Sequence, residues 1–229
     1  MQTNQPCRSY EIVAKRADGT VFIGQNHAPA VPIFENAFSA FAHGSPVLTT
    51  DGDVAVEDLH PGDMIVKGDG TASPLLWIGS SSFVPADTGQ PTPLVRVMAD
   101  SLGIGRPSGF LTFGASARVL HTPLDMRGEG FQKNVLTLMR DLVDGVNIIE
   151  ISPPTPVRLY HLCLEEHATI NVGGLLVETF HPGMDFLSEV PIRYRDQFLG
   201  MFPHIRSERD FGAVCQPRAP ARSSMALSA

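Results

Sequence analysis

Glycine and proline, 21 and 19 of the 229 residues, punctuate this chain throughout and leave little room for long regular helices. Between them lie short apolar runs. "PVLTT" precedes the turn signal "DGD", "VAVEDL" nearly alternates, and "HPGD" offers Pro61 and Gly62 for another turn. "MIVKGDG", "PLLWIGSSSFV", "PLVRVMA" and "FLTFGASARVL" read as further strands, and so do "VNIIEI" and "VRLYHLCL" on either side of "SPPTP". "ATINVGGLLVETF" reads as a hairpin, with Asn171 to Gly174 supplying positive φ. Turn signals spaced by about 8–12 residues predict a mainly β body, barrel-like or two-sheeted. One exception is expected: "NVLTLMRDLV", Asn134 to Val143, has near-helical apolar spacing and Gly145 as a C-cap, which predicts a short helix or helical turn.

The ends differ from the body. Residues 1–37 form an N-terminal extension holding one possible hairpin, "YEIVAKRADGTVFIG", and residues 38–183 form the main domain. Residues 184–214 read as a helical segment with Pro191 at a helix start. Residues 215–229 read as a mobile tail.

Composition narrows function more than it defines it. A hydrophobic content of 43% with 18% charged residues fits a globular protein. The formal charge of -7 and the lack of a basic run argue against nucleic-acid binding. No segment approaches the roughly 20 apolar residues of a membrane span, and the N-terminus has no secretory signal pattern. Three cysteines, Cys7, Cys163 and Cys215, cannot pair completely, so a reduced cytoplasmic setting is the default. Export without an N-terminal signal remains open.

Five blocks, in order, give the chain a resemblance. "FAHGSPVLTTDGDVAVEDLHPGDMIVKGDG", "LLWIG", "ADSLGIGRPSGFL" and "YHLCLEEHATINVGGLLVETFHPG" resemble the Hint (hedgehog/intein) autoprocessing family, and most closely its alphaproteobacterial type, with "LTFGASARVL" falling on the family's second catalytic block. "MFPH" and "DFG" resemble the tail of that subfamily. The resemblance implies a Hint fold of many short strands with a short C-terminal helical segment. It also implies a chemistry: a Cys or Ser heading the first block attacks the preceding carbonyl, and a His in the second block protonates the departing nitrogen. Donors must hold the oxyanion.

Here the nucleophile position falls on Ala40 and the general-acid position on Ala117. Only His167, in the closing block, keeps its family identity, and Glu178-Thr179 stands where splicing relatives have His-Asn. The expectation is therefore a catalytically degenerate Hint domain serving as a structural or interaction module, with an unknown protein partner possible and no cofactor.

The alternative is self-cleavage near Ser39–Ala40 by a displaced Ser39 or Ser45, with His43 or His121 as a shifted acid. On a strand His121 would lie about 6.8 Å along from position 117, too far for proton transfer over about 2.6–3.2 Å without rearrangement. Ser45 is expected to bond to backbone instead. "HLCLEEH" puts His161 and Cys163 on one strand face, but no completing metal-ligand spacing follows, and core packing is the simpler role. Asp51, Asp53, Glu57, Asp58 and Asp63 read as turn carboxylates bonding to nearby amides. "YRDQFLGMF" is expected to pack on the β body.

Overall fold

A computed structural model describes residues 6–84, 93–123, 127–128, 131–132, 134–184 and 186–220. It is mainly β, as the Gly/Pro punctuation predicts. In chain order the elements are β1 (Cys7–Lys15), β2 (Val21–Pro29), α1 (Pro32–Asn36), β3 (Phe41–Ala42), β4 (Pro46–Thr49), β5 (Gly52–Ala55) and β6 (Met64–Val66). There follow β7 (Ala72–Phe83), β8 (Leu94–Val97), β9 (Leu111–Phe113), β10 (Arg118–His121), β11 (Arg127–Gly128) and β12 (Phe131–Gln132). The chain continues with β13 (Val135–Leu138), β14 (Ile148–Ile151), β15 (Val157–Leu164), β16 (Thr169–Val172), β17 (Leu175–Glu178), α2 (Phe186–Glu189) and α3 (Ile192–Leu199).

The path of hydrogen-bonded strands runs β13-β10-β17-β16-β4-β6-β7-β15-β3-β9-β8-β14. The long strand β7 is its spine. Its start pairs with β6, Leu75 to Phe83 pair with β15, and its middle with β1, from Glu11↔Ser80 to Ala14↔Trp77. The N-terminal hairpin β1–β2 is thus sewn into the main sheet. Among the described residues no helix is long and apolar enough to cross a membrane.

Alternation along β7 and β15 feeds two cores. One side carries Leu162 and Leu164 of β15 into the interior of the β body, joined by Leu75 and Ile78 of β7 across the register shift that breaks its alternation between Leu75 and Trp77, beside Ala40, Phe41, Ala117 and Val177. The other face carries Trp77 and Cys163 into a second, aromatic core built with Tyr10, Phe34, Phe38, Phe180, Phe198, Phe202 and Phe211. Phe180 stacks on Phe202 with ring planes 5° apart. Trp77 donates its indole N–H to the Met201 carbonyl at 2.8 Å. Gly79 is required beneath this ring, because a Cβ there would come within 2.1 Å of the Trp77 side chain. The helix beginning after Pro191 packs onto the body through Phe198, and Met201 and Phe202, just beyond its end, join the same core.

One expectation is corrected. Val135 to Leu138 form a strand antiparallel to β10, and only Met139 to Leu142 coil, as a 3-10 turn. All four strand residues are buried. An apolar run buried on both faces imitates helical spacing, and its length, not its periodicity, marks it as a strand. Gly145 adopts φ 76, but in a loop rather than a cap: Asp144 Oδ1 accepts from the amides of residues 146–148 at 2.8 to 2.9 Å. "FLTFGASARVL" likewise divides into β9 and β10, separated by Gly114 to Ala117.

Candidate functional site

That interruption shapes the site. Ala40 is fully buried; its amide donates to the Tyr160 carbonyl at 2.9 Å, and its carbonyl accepts from Gly114 N at 2.9 Å. One residue upstream, the Ser39 carbonyl accepts from Ser116 N at 3.2 Å. The turn 114–117 is folded directly onto the Ser39–Ala40 peptide. Gly114 permits this approach, since a Cβ there would stand 2.2 Å from the Ser39 oxygen. Ala117, 1% exposed, closes the turn and receives Met139 N on its carbonyl at 2.9 Å. The fold therefore brings positions 40 and 117 to the same turn, and each presents a methyl group.

The hydroxyls nearby are engaged differently. Ser45 is buried and donates to the Ala42 carbonyl at 2.7 Å, a backbone contact of the expected kind. Ser39 Oγ lies 3.5 Å from Ser116 Oγ, another hydroxyl rather than a base. His43 is exposed beside Glu57, whose other oxygen accepts Gly44 N. His121 Nδ1 lies 3.2 Å from the Thr137 hydroxyl.

His167 sits in a second group of residues. Its Nδ1 accepts the Cys215 amide at 2.9 Å, so the ring proton resides on Nε2, which faces Glu178 Oε1 at 3.2 Å. Arg218 Nε donates to the same oxygen at 2.8 Å, and Arg118 Nε lies 3.6 Å from Oε2. Burial opposes the ionised form of Glu178, yet the contacts with His167 and the Arg218 guanidinium hold its carboxyl below the usual carboxylate range. Arg118 follows Ala117 directly in the chain and so joins this ion cluster to the turn at Ser39. Residues 215–220, within the stretch read as a tail, are placed here by Arg218 and the Cys215 amide, while Leu136 N donates to the Pro217 carbonyl and the Leu136 carbonyl accepts from Ala219 N. Residues 221–229 lie outside the described residues.

His161 is 4% exposed, its ring set edge-on to Phe41 and Phe180. Burial pushes its pKa down to about 3, and those of His181 and His204 down to about 4. A histidine whose folded pKa lies below its unfolded value of about 6.5 binds its proton preferentially in the unfolded chain. Stability is therefore complete above about pH 6.5 and falls as the pH drops toward 4. We expect unfolding free energy measured in denaturant to decline by on the order of 2 kcal/mol between pH 7 and 5 from His161 alone. Its replacement by Phe should flatten that slope. Cys163 is buried, with its thiol pKa pushed well up by burial, and its Sγ is 4.0 Å from the Phe180 carbonyl. Among the described residues no group of three or more His, Cys, Asp or Glu side chains is arranged to hold a metal ion.

Ala40, Ala117 and His167 are legible in the sequence, whereas the arginines around Glu178 come together only in the fold. Arg118 was visible as the next residue of the second block; Arg218, in a stretch with few large apolar residues, carried no signal.

The order of elements and the turn laid against the Ser39–Ala40 peptide define a mainly β domain of many short antiparallel strands. The Hint domain family model matches residues 39–184, and the chain belongs to that family. No curated protein matches it. Among solved structures it is similar to the MchDnaB-1 intein, at 15% identity over 62% of this chain and 100% of that one, with a TM-score of 0.34. It is also similar to the Msm DnaB1 intein splicing domain bound with zinc, at 16% identity, the same coverage and a TM-score of 0.34.

Proposed function

We propose that this chain is a catalytically degenerate Hint domain, a structural or interaction module that does not cleave itself. The observation that carries this reading is the pair of methyl groups at Ala40 and Ala117, buried against one turn. The family's reaction needs a lone pair to attack the Ser39 carbonyl and a proton for the departing amide nitrogen, and a methyl group supplies neither. Integration of the upstream hairpin supports the same reading. Residues 6–38 contribute Tyr10, Ile12, Phe34 and Phe38 to the aromatic core, so they behave as part of the domain rather than as cargo to be released.

One observation favours the alternative, autoprocessing by a displaced serine: the carbonyls around Ser39 still meet donors. Ser116 N reaches the Ser39 oxygen, and Ser81 Oγ reaches the Phe38 oxygen at 3.3 Å. Attack by Ser39 Oγ on its own carbonyl would close a strained four-membered ring. Attack on the Phe38 carbonyl closes a five-membered ring, transfers the acyl group from nitrogen to oxygen, and leaves an ester between Phe38 and Ser39. That ester is the test. Hydroxylamine cleaves it and leaves the amide chain intact, so incubation of the purified full chain should yield no fragment. A new N-terminus at Ser39 would sink the proposal, and loss of that fragment in Ser39→Ala would identify the hydroxyl.

A further inference from the structure

A cavity of about 170 Å³ opens beside the Ser39 turn, between α1, the 114–117 turn, β10, β13 and the end of β17. Its walls mix charge and carbon. Arg118, Arg140 and Arg218 line it with Glu178, while Ile33, Leu138 and Phe180 supply apolar surface. Three guanidiniums converge here in a chain whose formal charge is -7.

The charges do not cancel. Glu178 is already matched by Arg218 Nε at 2.8 Å and the ring nitrogen of His167 at 3.2 Å. Arg118 approaches the carboxylate through Nε at 3.6 Å, and its Nη1 is buried with no hydrogen-bond partner among the described residues. Burial also lowers the Arg118 pKa, despite the opposing effects of Glu178 and Asp141. A buried guanidinium N–H without an acceptor is costly, and an anion is the partner that its planar fork fits best.

We propose that this cavity binds a small organic carboxylate, with the carboxylate on Arg118 and the apolar body against Leu138, Phe180 and Ile33. The size agrees: an engineered apolar cavity of about 150 Å³ accommodates benzene. A planar acid with one ring or a short branched chain fills this volume and leaves its charge at the arginine wall. The site does not depend on whether the chain cleaves itself.

Titration calorimetry of the full chain at constant ionic strength tests the assignment with three probes. Benzoate should bind saturably, one per chain. Benzamide, its neutral isostere, should bind at least about tenfold more weakly, the effect of losing one charge-assisted contact. Inorganic phosphate, which lacks the apolar body, should also bind more weakly. Arg118→Gln should weaken benzoate about tenfold or more. Arg140→Gln, at an exposed position, should weaken it to a lesser degree with the fold intact. Equal binding of benzoate and benzamide, no binding of benzoate at millimolar concentration, or phosphate binding more tightly than benzoate would each overturn the proposal, and these arms use the unaltered chain.

Discussion

Replacing Trp77 with alanine will lower the unfolding free energy by about 3–5 kcal/mol, the range for deleting a large buried aromatic side chain. Trp77 is fully buried and touches Phe38, Phe180 and Phe202, with ring centroids 5.3, 6.2 and 4.8 Å away. These three rings come from the upstream segment, the closing block and the C-terminal region. Truncation would therefore open a void where three distant parts of the chain meet, and would also strip the Met201 carbonyl of its indole partner. For a domain of this length each kcal/mol shifts Tm by about 2–4 °C, so a fall of roughly 6–20 °C is expected. Circular dichroism is the appropriate readout, since Trp77 is the single tryptophan. Trp77→Phe, which keeps an aromatic filler, should lose distinctly less.

The second large effect belongs to Glu178. It is 4% exposed and lies among Arg118, Arg218 and His167. Glu178→Gln nearly preserves shape but removes the carboxylate that faces both Arg118 and Arg218. Breaking a buried pair by removing one partner costs about 3–5 kcal/mol, because the partner charge stays behind without compensation. Denaturant unfolding at pH 7 should show that loss. Arg218→Met, which removes the more exposed of the two cations, should cost less, as Arg118 still faces the carboxylate. A double variant carrying both changes should lose less than the sum of the two, the signature of groups in direct contact.

Local features were the most legible in the sequence. The "ADG" turn of the first hairpin, the paired glycines of the β16–β17 turn and the Pro191 helix start all appear as expected. Each is decided by residues adjacent in the chain: Gly19, Gly173 and Gly174 adopt positive φ, a conformation that other side chains resist. β15 spans the eight residues of "VRLYHLCL". The strand at Val135 to Leu138 was misread because burial on both faces erases the period that separates strand from helix.

The remaining gaps involve distance along the chain. Nothing in "YEIVAK" says that it will add to β7, more than 60 residues away. Nothing in "QPRAP" says that its arginine will reach Glu178. The resemblance pointed to Ala40, Ala117 and His167, and the fold sets the first two at one turn and the third in the ion cluster reached through Arg118. What recognition by block could not supply is the donor set around Ser39, because Ser116 N and Ser81 Oγ are placed by tertiary packing and not by any motif.

The most direct measurement is the intact mass of the purified full chain, followed over days at neutral pH with and without added thiol. A single unchanging mass is the predicted result, because the methyl groups of Ala40 and Ala117 can neither attack the Ser39 carbonyl nor protonate its leaving nitrogen. The appearance of two masses summing to the whole plus water, with the break at Phe38–Ser39 or Ser39–Ala40, would contradict it.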